Sequence, residues 1–373
     1  MSERHAAEER SGCGNPERMS GVLRWAVMGT GRIAGSVCPR LGAAEGCRVV
    51  CVASREIGRA RVFAAEMELA PTAACTYEAL PGRGDVDAVY VTLPTHLHGA
   101  WSRRLLGAGK HVVCEKPLTP FRAEAEEVFA AAERAERRMV EGFMYVHHPQ
   151  TARLVEIGRT GEGPMSSGEP SVIGTLTRIE GRFDINLVDV PHAWTRFLHS
   201  MWGGALMDLG CYPIGLARLV TGAEPRVVSA RAGWAEIPEG ETMPVDLATA
   251  CELEFDVAGS TIPASIHCSM GAPERSVLFR MEGEWGSVET NHPFKADPER
   301  AVLRVERNGD HPRGLGRDEI VIGGGGDRFE NQFADFARAV RGEAGLMPGA
   351  AWSIGQAAVM EETLGRVGLS FER

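Results

Sequence analysis

The chain has 373 residues, of which 44% are hydrophobic and 24% charged, with a formal net charge of −10. That length favours two domains with room for a sizeable core, and the acidic balance excludes the basic stripe of a nucleic-acid surface. No run of eighteen uninterrupted apolar residues occurs, so neither a membrane span nor a membrane partner is expected.

The first twenty residues, MSERHAAEERSGCGNPERMS, are polar and lack the apolar core of a secretory signal. Residues 1–20 read as a disordered tail. The nine cysteines show no ligand-like spacing, which suits reduced thiols and a cytoplasmic protein.

A strand is predicted at Leu23–Met28, running directly into GTGRIAGSV. Gly29, Thr30, Gly31, Arg32, Ile33 and Ala34 form a GxGxxA fingerprint between this strand and a helix. Gly29 permits the tight turn, Gly31 lets a pyrophosphate approach the backbone, and Ala34 allows close helix–strand packing. The helix N-terminus then offers free N–H groups to the phosphates, so the segment reads as dinucleotide-binding. The next strand, through Val49–Ala53, ends in Ser54-Arg55, with Arg59 one helical turn further on. NAD sites place a carboxylate here for the ribose 2′-hydroxyl. A hydroxyl with guanidinium groups favours a 2′-phosphate instead, so NADP(H) is expected ahead of NAD.

A helix is predicted over Gly58–Met67 and a strand over Ala88–Leu93, stopped by Pro94. The loop VTLPTHLHGA lies at the carboxyl ends of the strands, where the cofactor of an open α/β sheet sits. Leu93, Pro94 and His98 are therefore placed on the cofactor side, His98 in a positioning or capping role. His96 and His98 have no Cys or carboxylate at ligand spacing, so no metal is expected. HVVCEKPLTP follows: a short apolar strand ending in Glu115, Lys116 and Pro117. Two charges there are costly to bury unless they have a task. The helix AEAEEVFAAAERAERR and the strand RMVEGFMYV complete the alternation of a doubly wound parallel sheet, the α/β class.

Beyond about His148 the texture changes. IGTLTRIEGRFDI, RVVSARAGWAEI, LATACELEFDV, STIPASIHCSM, SVLFRMEGEWGSVETN and AVLRVER alternate with period two, the pattern of an open, mostly antiparallel sheet. The helix GGALMDLGCYPIGLARLVTG interrupts this set. IGGGGDRF reads as a linker into two closing helices, Phe329–Arg341 and Ala351–Val367. The expected division is a Rossmann domain for the cofactor over 21–145 and an α+β domain over 146–373 for substrate binding and oligomerisation.

GTGRIAGSV, VASR, DAVYVTLPTHLHG, AGKHVVCEKPL, EGFMYVHHPQ and GGALMDLGCYPI, in this order, resemble the glucose–fructose oxidoreductase / inositol dehydrogenase (Gfo/Idh/MocA) family from about Gly21 onward. Within it, EGFMYVHHPQ and the Asp208-x-x-x-Tyr212 pattern resemble the branch of NADP-dependent aldose (xylose-type) dehydrogenases, dimeric dihydrodiol dehydrogenases and some deoxysugar ketoreductases. The resemblance implies NADP(H)-dependent hydride transfer at a hydroxyl or carbonyl carbon of a sugar or related diol. A ketoreductase of an activated deoxysugar is the alternative. A nonenzymatic NADPH-binding regulator is opposed by the intact Lys116 and Tyr212.

The resemblance makes Lys116 a catalytic residue, with a cis bond before Pro117. It would hydrogen-bond the substrate oxygen, stabilise negative charge and depress the pKa of a neighbouring phenol, with Glu115 offsetting or orienting it. Tyr212 is the implied general acid/base, sharing one helical face with Asp208, which would orient substrate hydroxyls. Inositol-type members carry His at this position, which counts against an inositol substrate. Where the family reads GGGAL, this chain has Met201-Trp202-Gly203-Gly204-Ala205. Trp202 either lines the substrate pocket or packs in a core. Tyr145, His147, His148 and His192 are further site candidates. The insertion over 160–172 either covers the site or lies on the surface. A homodimer or homotetramer through the antiparallel sheet is expected.

Overall fold

The computed structural model describes residues 21–160 and 171–372. The expected tail and most of the insertion lie outside the described residues. Six strands build the first sheet: β1 (Leu23–Met28), β2 (Cys47–Ser54), β3 (Ala74–Thr76), β4 (Ala88–Val91), β5 (His111–Glu115) and β6 (Met139–Gly142). Their spatial order is β3-β2-β1-β4-β5-β6, with every pair parallel. All four residues of β4 are buried, as expected of a central strand covered on both faces by helices. The order reverses between β1 and β4, and the carboxyl ends of these strands open the ligand crevice.

The first helices are α1 (Arg32–Ala43), α2 (Ile57–Glu66), α3 (His98–Gly107), α4 (Arg122–Arg134) and α5 (Pro149–Thr160). α1 buries Ala34, Val37, Cys38 and Leu41, the stripe a helix presents to a sheet. None of the helices is long and apolar enough to cross a membrane, among the described residues.

The second sheet has eight strands: β7 (Leu176–Asn186), β8 (Pro225–Trp234), β9 (Asp246–Val257), β10 (Ser260–Ser269), β11 (Gly271–Gly283), β12 (Gly286–Thr290), β13 (Arg300–Arg307) and β14 (Gly316–Gly323). Their order is β14-β13-β12-β11-β7-β10-β9-β8, antiparallel except for the β10–β7 pair. Along β9, Thr249, Cys251, Leu253 and Phe255 are buried and alternate with more exposed Ala250, Glu252 and Glu254, so one face meets the core. Two expectations change here. SVLFRMEGEWGSVETN is a hairpin, β11 and β12, turning at Glu284–Trp285. Part of the presumed linker is β14, an edge strand paired with β13. Its charges and few apolar residues hid it, because its stability comes from the ladder rather than from burial.

GGALMDLGCYPIGLARLVTG is not one uniform helix. A π-helical turn at Leu206–Gly210 precedes α6 (Cys211–Thr221), which ends at Gly222 with φ 69°, a left-handed cap. α7 (Arg328–Val340) is capped by Asp327, which accepts from Phe329 N and Glu330 N. Phe333 packs edge-on against Trp25 of β1 and Tyr90 of β4, at ring distances of 5.3 and 5.1 Å. α7 thus joins the second half of the chain to the first sheet. α8 (Ala350–Arg366) packs against α4 and β8.

Candidate active site

The glycine-rich turn has the form a dinucleotide needs. Gly29 sits at φ 119°, and a Cβ there would lie 2.3 Å from the Thr92 hydroxyl, so only glycine fits. Gly31 caps α1 without a side-chain hydrogen bond, and the space where its Cβ would stand is open. No acidic residue occupies the first turn of α1, leaving its N–H groups free of competing charge. Ala34 is fully buried, Thr30 is half-buried, and Arg32 and Ile33 are exposed. These residues fit a pyrophosphate. The Arg32 guanidinium meets His192 Nε2, which brings together two residues 160 positions apart.

At the end of β2, Ser54 is buried while Arg55 and Arg59 are exposed. Both guanidinium groups stand close enough to Tyr77 to act on its phenol, which burial raises and they lower. The charge available to a 2′-phosphate here comes from the two arginines rather than from an exposed serine.

The turn after β5 contains a cis Lys116–Pro117 bond and is held by buried polar contacts. The Tyr90 hydroxyl donates to Glu115 Oε1, and Lys116 N donates to Oε2 at 3.3 Å. Burial raises the Glu115 carboxyl. Leu118 N donates to Glu141 Oε1 at 2.7 Å, and burial pushes the Glu141 carboxyl up to about 7. The His98 ring bridges the Pro117 carbonyl at 2.8 Å and the Leu93 carbonyl at 2.7 Å. His98 is 1% exposed, and burial pushes its imidazole down to about 4. This corrects its assignment to the cofactor surface: His98 ties the loop after β4 to the Lys116 turn from beneath.

Lys116 Nζ donates to the Asp208 carbonyl at 2.7 Å and to Asp208 Oδ1 at 3.1 Å. The other oxygen, Oδ2, accepts from Arg196 Nε at 2.7 Å. Lys116 Nζ also lies 4.6 Å over the Tyr212 ring. Burial opposes the Lys116 charge, but Asp208 overcomes it and holds the ammonium well above its ordinary value. Burial likewise opposes the Asp208 charge, and Lys116 and Arg196 keep its carboxyl low. Asp208 and Tyr212 do converge on one group, across a π-helical turn rather than along a regular helix. With both its oxygens engaged, Asp208 positions Lys116 rather than presenting itself to substrate hydroxyls.

Tyr212 is buried among Phe143, Tyr145, Phe183 and Phe294. Burial raises its phenol by more than Lys116 lowers it, so the expected depression is the smaller effect. Among the described residues its hydroxyl makes only a long contact to Met144 Sδ, 3.9 Å, and is available to a stronger partner. Lys116 and Tyr212 are thus two proton-bearing groups in contact, the ammonium lying over the phenol ring.

Three substrate candidates are corrected. Tyr145, 1% exposed, packs between Phe143 and Phe294, so it shapes the core behind Tyr212. His147 Nδ1 pairs with Asp335 of α7 at 2.6 Å, with a side chain 4% exposed. Trp202 is buried in a left-handed turn, packs edge-on against Phe121 at 5.2 Å, and donates through Nε1 to the Glu372 carbonyl. It anchors the C-terminal segment and takes the core alternative. His148 is also buried. Sequence reasoning missed Arg196 and Glu141. A carboxylate inside RMVEGFMYV was the available signal for Glu141; nothing local marked Arg196.

Residues 23–143 match the oxidoreductase family with an NAD-binding Rossmann fold, and residues 169–289 match the GFO/IDH/MocA C-terminal domain. The chain is 34% identical over 281 residues to a D-xylose 1-dehydrogenase (NADP(+)) of Haloferax volcanii, covering 75% of this chain and 79% of the relative. It is 29% identical over 319 residues to a dTDP-3,4-didehydro-2,6-dideoxy-alpha-D-glucose 3-reductase of Saccharopolyspora spinosa, covering 85% and 87%. A solved 3-ketoreductase from Actinomadura kijaniata, in complex with NADP and TDP-benzene, superposes with a TM-score of 0.78 at 29% identity over 92% of this chain and 98% of the other. The chain belongs to the GFO/IDH/MocA family of oxidoreductases.

Proposed function

We propose that this chain is an NADP(H)-dependent oxidoreductase acting at a hydroxyl or carbonyl carbon of a sugar or related diol, with Lys116 and Tyr212 at the reacting oxygen. The observation that carries this reading is the fixed Lys116 ammonium, 2.7 Å from the Asp208 carbonyl and 4.6 Å over the Tyr212 ring, beside an intact phosphate cradle. Gly29–Ala34 would hold the pyrophosphate, and Arg55 and Arg59 above Ser54 the 2′-phosphate. Leu93, Pro94, Glu115 and Lys116 would border the nicotinamide. The nicotinamide, when bound, supplies or accepts the hydride.

Lys116 hydrogen-bonds the substrate oxygen and stabilises its developing charge. Tyr212 gives that oxygen its proton or takes it away. Asp208 keeps Lys116 charged and aimed, and Arg196 holds Asp208. The Tyr90–Glu115 contact, Glu141 and His98 fix the backbone of the turn. The NADP-dependent xylose dehydrogenase among the relatives supports the cofactor and the sugar class.

A second reading, reduction of an activated keto-sugar, has its own support. Lys116 and Tyr212 both hold their protons firmly, which suits proton delivery to a carbonyl oxygen, and 3-reductases of dTDP-sugars are among the relatives. We assign 21–145 to the cofactor and 146–373 to substrate binding and assembly. The assembly is a homodimer or homotetramer through the second sheet, and the protein is cytoplasmic.

Absorbance at the NADPH band, with NADP⁺ and a panel of free aldoses and a trans-diol, tests the primary reading. Growth with any member establishes the oxidation. A flat trace with all of them, together with consumption of NADPH by a dTDP-keto-sugar, selects the second reading.

A further inference from the structure

Cys51 of β2 and Cys75 of β3 stand with their sulfurs 3.3 Å apart, both buried and joined by a thiol hydrogen bond. The strand register sets Cys75 beside Ala53, and Ala53 and Cys51, two apart on one strand, share a face of the sheet. The sulfurs therefore meet along a diagonal between neighbouring strands. Of the eight described cysteines, Cys75 is the one whose thiol is held below its ordinary value, by the hydrogen bond from Cys51 and by Arg83, against burial. The other seven are raised. A thiolate with a second thiol in reach is the arrangement that reacts with an oxidant and then resolves to a disulfide.

Access and leverage both follow from the place of the pair in the fold. β3 is three residues long and forms the edge of the first sheet, where local opening costs least. Cys75, on that edge, is 6% exposed. The chain between the two cysteines carries Arg55 and then α2 with Arg59, so a bond between them closes a loop around the arginines assigned to the 2′-phosphate. Just past Cys75, Tyr77 N donates to the Ser54 carbonyl at 3.0 Å. A disulfide leaves about 2.0 Å between its sulfurs. Forming it draws Cys75 back toward Cys51 and shifts Tyr77 against the Ser54–Arg55 corner.

We propose that Cys51 and Cys75 form an oxidation site at which a hydroperoxide makes a reversible disulfide, and that this bond lowers the affinity for NADP(H). Cys75 Sγ attacks one peroxide oxygen and the O–O bond breaks, giving a sulfenic acid, while the Cys75 proton leaves with the second oxygen as water. Cys51 Sγ then attacks the Cys75 sulfur, the S–O bond breaks, and the hydroxyl departs with the Cys51 proton as a second water. Two thiols are oxidised, and one hydrogen peroxide is reduced to two waters. The site acts on cofactor binding and is separate from Lys116 and Tyr212.

The test treats the full chain with hydrogen peroxide, blocks the remaining thiols and maps the peptides by mass spectrometry, with NADPH affinity measured by fluorescence titration on the same samples. A Cys51–Cys75 cross-linked peptide, short of two hydrogens, should appear. NADPH affinity should fall roughly three-fold or more, a fraction of what losing a charge-assisted hydrogen bond costs, and dithiothreitol should restore both. Cys51→Ala and Cys75→Ala should each lose the response of affinity to peroxide. Absence of the cross-link would overturn the proposal, as would a complete cross-link with unchanged affinity. An equal loss of affinity in either alanine variant after peroxide would do the same, since the effect would then arise at another thiol. The cross-link and its reversal are read on the wild-type chain, so neither depends on the folding of a variant.

Discussion

Lys116 and Asp208 meet across the seam between the two sheets, Nζ lying 2.7 Å from the Asp208 carbonyl and 3.1 Å from Oδ1. The contact joins the turn after β5 to the π-helical turn before α6. It locks the geometry of the site and keeps a buried ammonium charged.

Asp208→Asn therefore tests the electrostatics. In the wild-type protein the Lys116 pKa is raised, so its charge persists through the alkaline assay range. With the carboxylate gone, burial is opposed only by the smaller effects of Tyr212, Cys211 and Glu115, and the charge is lost at lower pH. The alkaline limb of kcat/KM should move down in pH, and stability should drop by about 3–5 kcal/mol because Lys116 and Arg196 lose their shared partner. An unchanged alkaline limb would show that Lys116 does not depend on Asp208.

Arg55→Ala should weaken NADPH binding roughly ten- to hundred-fold, the effect of about 1.5–3 kcal/mol for a charge-assisted hydrogen bond, with little change for NADH. Fluorescence titration with both nucleotides measures this, and equal losses would remove Arg55 from the 2′-phosphate.

Glu141 makes stability depend on pH. Its folded pKa is about 7 against an ordinary value of 4.5, so the native state binds the extra proton between those limits. Its contribution is thus most favourable below about 4.5, is lost as pH rises through 7, and amounts in total to about 3 kcal/mol. Glu141→Gln keeps an acceptor for Leu118 N and removes the ionisation. Urea denaturation at pH 5 and pH 8 should show a smaller difference for the variant than for wild type; identical differences would place the titration elsewhere.

Gly204→Ala should destabilise the site from the other side. Gly204 has φ 118°, and an added Cβ would stand 2.0 Å from Asp246 Oδ1. The Asp246 carboxylate accepts from Leu206 N at 2.7 Å and so holds the start of the π-helical turn. A loss of about 1–3 kcal/mol, with turnover falling together with stability, is the expected result in a thermal melt and an activity assay.

The first sheet was legible because its signals are local: apolar strands, a glycine turn with one possible geometry, and helix stripes of regular period. Glu115 and Lys116 were legible for the same reason, as charges at the end of a buried strand. Tyr145, His147 and Trp202 were misplaced because an aromatic or imidazole ring serves a core as readily as a pocket, and only packing decides between them. Arg196 reaches Asp208 from an irregular segment whose path is set by tertiary contacts, so spacing carried no information about it. β14 escaped because an edge strand needs partners more than apolar residues.

The most direct test of the central claim is the turnover of Tyr212→Phe with the best substrate of the panel, followed at the NADPH band with nucleotide affinity measured in parallel. The account predicts a fall in kcat of roughly 10²–10⁴-fold, the usual range for losing a general acid or base, with NADP⁺ affinity unchanged. Turnover near that of wild type would contradict a proton-transfer role for Tyr212 and the chemistry built on it.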